Sequence, residues 1–456
     1  MKKTKIAAIL SLGMVPAMFW SSESQAIPSW ARKYNVSCYM CHSGFPQRNA
    51  VGEAFQNNGF RFPDATEAAL TKQKNIKIGN DEWDKLAPNA PFQGSFPQFD
   101  ALSMTLGGRL INYTSQQSLK VGGTTARTLA GKQFNWAAPN SVSLFYGGSL
   151  GDDITFFGQL GGFNGYLTAA PSTASPTSQL TSNARVVYRL AHGFKFAMGT
   201  QFSAIGWNGT GAGGVVNVSG LLPSPSNYAE LQLTRGETGG YSVVAGSSVD
   251  LPPGQITNAA TAALSTAGNI DNHVYLRAKV KLVGAGMLSG ANGTLGNSYN
   301  GLDNQVTLGF GLSSAKNKAI FGGAYAGETL VYGADIQAVH NNSLVGVAVS
   351  RDKDFGLNNV KAEAGYFVYP WLFARVSYTD IANTGYTVAA PTGTAVGRHR
   401  PTVVPSLVAW VAPNVSVTAT YTRYTKEWRE NVAAGAESLN NISDQNAFNV
   451  SLLAGF

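Results

Sequence analysis

Cys38 and Cys41 are the only two cysteines in the chain, and His42 directly follows the second. At Cys-x-x-Cys-His spacing, two thiols can add to the two vinyl groups on one porphyrin edge while the adjacent imidazole ligates iron from one face. The motif points to a single covalent haem c, with Cys38 and Cys41 as its cofactor-binding residues and His42 as the metal ligand. A thioredoxin-like redox pair would use the same two thiols. It needs a βαβ setting, and none is visible around the motif.

The N-terminus agrees with a cofactor acquired outside the cytoplasm. Lys2, Lys3 and Lys5 precede an apolar run from Ile6 to Trp20, and Ser24-Gln25-Ala26 is a small-x-small cleavage site. Residues 1–26 read as a secretory signal peptide; an uncleaved anchor is the alternative, but the run is short and holds Pro16. Net charge is +8, of which the leader's three lysines and one glutamate account for +2, leaving +6 for the mature chain. That mild, dispersed bias implies no nucleic-acid partner.

The elements that must position the motif lie C-terminal to it. Residues 27–100 form a monohaem cytochrome segment ending in a connector with Pro88, Pro91 and Pro97. Within it a helix is expected from Gln47 to Asn58, capped by Gly59. Val51 and Phe55 share the face that would pack on haem, and Gly52 permits close approach. Asp64 and Glu67 start a second helix as a capping box. This is little protein to wrap a haem, so another part of the chain should shield it.

From residue 101 to 456 the texture changes. The chain is 44% hydrophobic but only 13% charged and holds 52 glycines, a balance that excludes disorder and, past the leader, transmembrane helices. Ile154, Phe156 and Leu160 alternate with Thr155, Phe157 and Gln159. Val415, Val417, Ala419 and Tyr421 alternate with Ser416, Thr418 and Thr420. Phe448 through Phe456 repeats the pattern. A soluble β-sandwich also alternates. Runs of about ten residues, with tight turns at His192-Gly193, Tyr369-Pro370 and Pro413-Asn414 and long polar loops between, fit a transmembrane barrel of the outer-membrane type better. Tyr366, Tyr369, Trp371, Tyr378, Trp410, Tyr421 and Tyr424 fall at strand ends as an interfacial girdle. Seventeen strands are countable, including one at 319–326. Single-chain barrels have even numbers, so the expectation is sixteen to eighteen strands, with the miscount near 250–272. Such a lumen has room for a small α-helical domain.

Inside the lumen, alternation turns Arg277, Lys279 and Lys281 inward, together with Arg185, Arg189, Lys195 and Arg375. They read either as a solvated porin wall or as partners of the haem propionates. For the sixth iron position, residues 43–100 offer neither His nor Met; Asn57, Met104, Met198, Met287, His192, His273, His340 and His399 are the remaining options, with Met198 expected to face lipid. Asp352, Asp354, Glu427 and Glu430 are oxygen donors in outer loops, read as solvated charges or as an attraction for ferrous iron. A glycine-rich stretch at Gly209–Gly214 lacks the strand–turn–helix setting of a nucleotide site.

The run Ala26-Ile27-Pro28-Ser29-Trp30-Ala31-Arg32, the Cys38–His42 motif, Phe45-Pro46, Gly52, Phe55 and Asn58-Gly59-Phe60 together resemble the outer-membrane monohaem cytochrome–porin fusions of iron-oxidising bacteria. Trp30 stands where that family has Phe, and Val51-Gly52-Glu53 where it has Phe-Gly-Arg; the likeness covers residues 26–60. The resemblance implies a bacterial outer-membrane protein that takes electrons from extracellular Fe(II) through haem c. Their acceptor would be a periplasmic c-type cytochrome or copper protein. Only Cys38, Cys41 and His42 carry over. Exchange with another extracellular donor or acceptor, and a diffusion porin with an unrelated Cys-x-x-Cys-His, are the alternatives.

Overall fold

The computed structural model describes Trp30, Tyr34, Val36, residues 40–44 and 47–62 and the paired backbone of Ile76–Lys77 and Ser95–Phe96 in the N-terminal segment, together with the strands from residue 102 to 455, most of their tight turns and short pieces of the longer loops. The expected leader, Cys38, the Asp64 helix start, the Gly209–Gly214 stretch and Phe456 lie outside the described residues.

The N-terminal piece is a small hairpin, β1 (His42–Gly44) and β2 (Gln47–Arg48), followed by one helix, α1 (Ala50–Asn57). The helix starts three residues later than expected. Gln47 and Arg48 are taken up by the ladder His42↔Arg48 and Gly44↔Gln47. Asn49 then supplies the cap, its side chain accepting a hydrogen bond from the Gly52 N–H at 2.9 Å. At the other end Phe60 N–H donates to Phe55 O (2.9 Å) and Gly59 N–H to Gln56 O (3.0 Å), with Gly59 at φ +75°. This is a Schellman close, completed by the Phe55–Phe60 contact at 6.1 Å.

Sixteen antiparallel strands form a closed barrel. The first eight are β3 (Leu102–Thr114), β4 (Gln133–Leu150), β5 (Ile154–Gly161), β6 (Thr181–Ala191), β7 (Phe194–Thr200), β8 (Asn227–Arg235), β9 (Thr238–Asp250) and β10 (Asn269–Ala285). The second eight are β11 (Gln305–Asn317), β12 (Gly327–His340), β13 (Ser343–Asp352), β14 (Leu357–Tyr369), β15 (Leu372–Asp380), β16 (Thr402–Ala412), β17 (Val415–Tyr424) and β18 (Ala447–Gly455). β18 pairs with β3 and closes the ring. The seventeenth expected strand is a miscount, but it does not fall near 250–272: β9 and β10 pair directly across that stretch. Likewise β11 pairs directly with β12, leaving no barrel position for 319–326, which lies outside the described residues.

Alternation sorts the side chains. On the outside Leu231, Val274, Val280, Leu282, Leu308, Phe310, Ile336, Val345 and Val347 are all exposed. An apolar outer band on a sheet without edges is what a lipid bilayer requires, and the protein is a transmembrane barrel of the outer-membrane type. Met198 is on this outer face, as expected, at 51% exposure. Tyr366, Tyr369 and Trp371 stand exposed at the β14–β15 turn, a girdle position. Trp410 does not join them. It is buried, and its register partner is the buried Ser416, so it points into the barrel.

Tight turns gather at one end. Gly193, at φ +66°, closes β6–β7, where a Cβ would lie 2.3 Å from the Thr234 carbonyl oxygen. Asn341, at φ 51°, closes β12–β13. Barrels of this type carry short turns on the periplasmic side. The N-terminal segment sits inside the lumen near that end.

Candidate functional site

Cys41 lies in a turn and His42 opens β1, both half-buried. Asn49 ties this turn to the helix. While its Oδ1 caps α1, its backbone N–H donates to Cys41 O at 3.0 Å and its Nδ2 donates to Met40 O at 3.1 Å. Gly52, one turn into α1, lies so close that a Cβ would be 2.1 Å from Cys41 O. The close approach that Gly52 permits is therefore by the motif's own backbone.

An aromatic cluster forms beside the motif. Tyr34, Phe55, Phe60 and Phe62 are buried with Val187 and Ala197 of the barrel wall, and Trp30, Val36, Cys41 and Val51 pack on them partly buried. Trp30 stacks on Phe60 at 5.8 Å, and Phe60 on Phe157 of β5 at 6.0 Å. Burying a Phe of this kind stabilises by about 1.5–3 kcal/mol. The cluster is thus the apolar half of the join between segment and wall.

The polar half is more specific. Glu53, 1% exposed, meets Lys281 of β10 at 2.6 Å and Lys279 at 3.5 Å. Lys195 of β7 donates to the Gln56 and Asn57 carbonyls at 2.6 and 3.0 Å, a cation placed on the negative end of the helix. Asn57 and Asn58 donate to the Met287 and Leu288 carbonyls at 2.8 and 2.7 Å. Thr155 Oγ1 donates to Gly59 O at 2.6 Å. A cavity of about 20 Å³ beyond the end of α1, lined by Gln56, Asn57, Gln232 and Arg277 among others, has room for about one water.

Burial pushes the Glu53 carboxyl up, but Lys281, Lys279 and Arg48 more than reverse this and hold it below its ordinary value of 4.5. Burial brings Arg48 down to about 10, against the opposing pull of Glu53 and Cys41. Asp303, 3.9 Å from Lys281, is pushed up by burial despite accepting from the Ala285 N–H.

The cations expected in the lumen are there, but much of the wall is ion-paired rather than a bare basic surface. Arg185 meets Glu230 at 2.6 Å, and Tyr275 also donates to that carboxylate. Arg277 pairs with Asp335, Arg375 with Glu363 at 3.6 Å, and Arg189, near the end of β6, with the exposed turn residue Asp153 at 3.5 Å. Sequence reasoning missed Glu53, Glu230 and Asp335. The signal was present for Glu230, which alternates in phase with Tyr228, Gln232 and Thr234 along β8.

The candidates for a sixth iron ligand scatter. His273 is fully buried with both ring nitrogens engaged, Nδ1 with Ser248 at 2.6 Å and Nε2 with Ser313 at 2.8 Å. His192 and His340 are exposed at turns, and His399 lies in a two-residue strand opposite Ala382. Met104 pairs in register with Leu144. Met287 is fully buried and gives its carbonyl to Asn57, whose amide is thereby engaged in docking α1. Asp352 ends β13; Asp354, Glu427 and Glu430 lie outside the described residues. Among the described residues no group of three His, Cys, Asp or Glu is placed to hold a metal ion.

The described part of the motif has the donor chemistry that a haem c needs. The half-buried Cys41 packs on an apolar cluster whose outer members, Trp30, Val36 and Val51, are themselves partly exposed, and the half-buried His42 follows it in the chain. Covalent attachment needs reachable sulfur, and a porphyrin needs apolar side chains at its edge.

No family model matches the chain, and no curated protein matches it in sequence. Among solved structures it is similar to an anion-selective porin from Comamonas acidovorans (TM-score 0.43, 11% identity, 78% of this chain and 98% of that one). A loop-deletion mutant of OmpT, an outer membrane protein of Vibrio cholerae, matches at TM-score 0.42 and 11% identity over the same shares. A triple mutant of the Rhodopseudomonas blastica porin matches at TM-score 0.38 and 11% identity, covering 78% of this chain and all of that one.

Proposed function

We propose that this chain is a bacterial outer-membrane electron-transfer cytochrome fused to its own porin-like barrel. It would accept electrons from extracellular Fe(II) through one haem c bound by Cys38 and Cys41, with His42 on the iron. A periplasmic c-type cytochrome or copper protein would receive them. The observation that carries this reading is the docking of the Cys-x-x-Cys-His segment on the inner wall. Glu53, Lys195, Asn57, Asn58 and Thr155 all spend polar contacts on that join. A diffusion pore gains nothing from a cysteine–histidine motif held inside it.

Haem c, when bound, supplies a one-electron couple, so each Fe(II) ion oxidised to Fe(III) outside delivers one electron. The chain's own residues do the rest. Tyr34, Phe55, Phe60 and Phe62 exclude water from one side of the motif. Asn49 orients the turn that carries Cys41. The barrel carries this assembly through a hydrocarbon slab about 30 Å thick, with the motif near the short-turn end, where a periplasmic carrier could reach it.

The test is the visible spectrum of the air-oxidised, detergent-purified protein before and after anoxic ferrous iron. A Soret band that shifts while sharp reduced bands appear supports the reading. A haem reduced by dithionite but untouched by iron at any pH transfers the assignment to another extracellular donor or acceptor. Absence of a Soret band, from a host that matures c-type cytochromes, leaves a porin.

A further inference from the structure

Arg48 is the cross-strand partner of His42 in the β1–β2 ladder. The hairpin thereby sets a permanent cation beside the expected iron ligand. The Arg48 Nε is sealed from solvent, and a guanidinium stays protonated in proteins. Its surroundings are also cationic. Glu53 lies within its electrostatic reach, as do Lys195 and Lys279, and Lys281 follows across Glu53. Among the described residues of this cluster, Glu53 and Asp303 are the carboxylates that answer these four cations. Arg185 and Arg277, on the same wall, pair with Glu230 and Asp335.

Haem iron carries one more positive charge when ferric than when ferrous. A cation nearby disfavours the ferric form, the more so the less solvent screens it. We propose that Arg48 raises the reduction potential of a haem held by Cys38, Cys41 and His42, making it a better acceptor for electrons from ferrous iron. This rests on the haem reading above. Arg48 acts through the field it places on the iron, and Glu53, a buried anion in the same cluster, acts in the opposite sense.

That opposition makes the test a signed one. The haem-loaded, full-length protein is titrated potentiometrically in detergent, with the reduced fraction read from the visible bands. At the wild-type midpoint, Arg48→Met is expected to lower the ferrous-to-ferric ratio at least threefold, and Glu53→Gln to raise it; a tenfold change corresponds to 59 mV for one electron. Arg48→Lys keeps the charge and is expected to stay within twofold of wild type. A merely structural role would loosen the site, wet the haem and move Arg48→Met and Glu53→Gln in the same direction. Shifts of one sign, or no shift in Arg48→Met, overturn the proposal. If Arg48→Met fails to assemble a heat-modifiable barrel, Glu53→Gln decides, and a ratio that does not rise overturns it. A wild-type chain without covalent haem overturns the underlying reading and this proposal together; a haem whose midpoint ignores these charges overturns the Arg48 assignment alone.

Discussion

Glu53 occupies a position where the resembled family carries arginine, and the structure shows what the carboxylate does: it enters a buried cluster with Lys281 and Lys279. Removing one member of a buried pair costs about 3–5 kcal/mol, because the other charge is left uncompensated. Glu53→Ala is therefore expected to release the N-terminal segment, seen as faster protease cleavage between residues 43 and 62 with the barrel still heat-modifiable. The pH dependence comes from the same contact. A carboxyl held below its ordinary 4.5 in the folded protein stabilises docking fully above that value and loses this contribution only as pH falls through the lower, folded value. Hydrogen exchange of α1 is expected to stay slow through pH 4.5 and to quicken below it; quickening already near neutrality would contradict this. Gly52 is a second such residue. Gly52→Ala sets a methyl against Cys41 O, 2.1 Å away, and is expected to cut the yield of covalently attached haem severalfold, measured by haem stain per barrel.

At the scale of elements, α1 has eight residues, too few to persist alone in water, so its ends and its docking decide whether it forms. Asn49→Ala removes the cap, which costs about 1 kcal/mol, and also frees the Met40 and Cys41 turn. Its exchange protection is expected to drop throughout the helix, whereas substituting the partly buried Gln56 leaves it nearly unchanged. The helix and its glycine close are legible in the sequence because Asn58-Gly59 is a local signal. Its first turn is not, because Gln47 and Arg48 pair with His42–Gly44, a contact no local propensity reports. For the barrel strands, period-two alternation is written in each segment, and so the outward Met198 and inward Lys279 are readable. Trp410 reads wrongly as a girdle residue because an aromatic near a strand end looks alike from either face, although it alternates in phase with the inward Ser406 and Val408.

For the whole molecule, the lumen is shared between a wall and an inserted segment, so deleting residues 27–62 is expected to raise single-channel current in a planar bilayer. An unchanged current would mean that the segment does not obstruct the pore. The motif spacing, the alternating strands and the even-number rule are all contained in the sequence, since each depends on residues close in the chain or on a general constraint. Tertiary structure decided sixteen strands over eighteen, because only β11–β12 and β9–β10 pairing shows which segments are neighbours. It also decided that Glu53 meets β10, more than 200 residues away, and that Lys195 crowns α1 from β7. Closing a barrel brings remote inward positions together, and which of them meet an inserted helix depends on strand register and depth, quantities that no local pattern encodes.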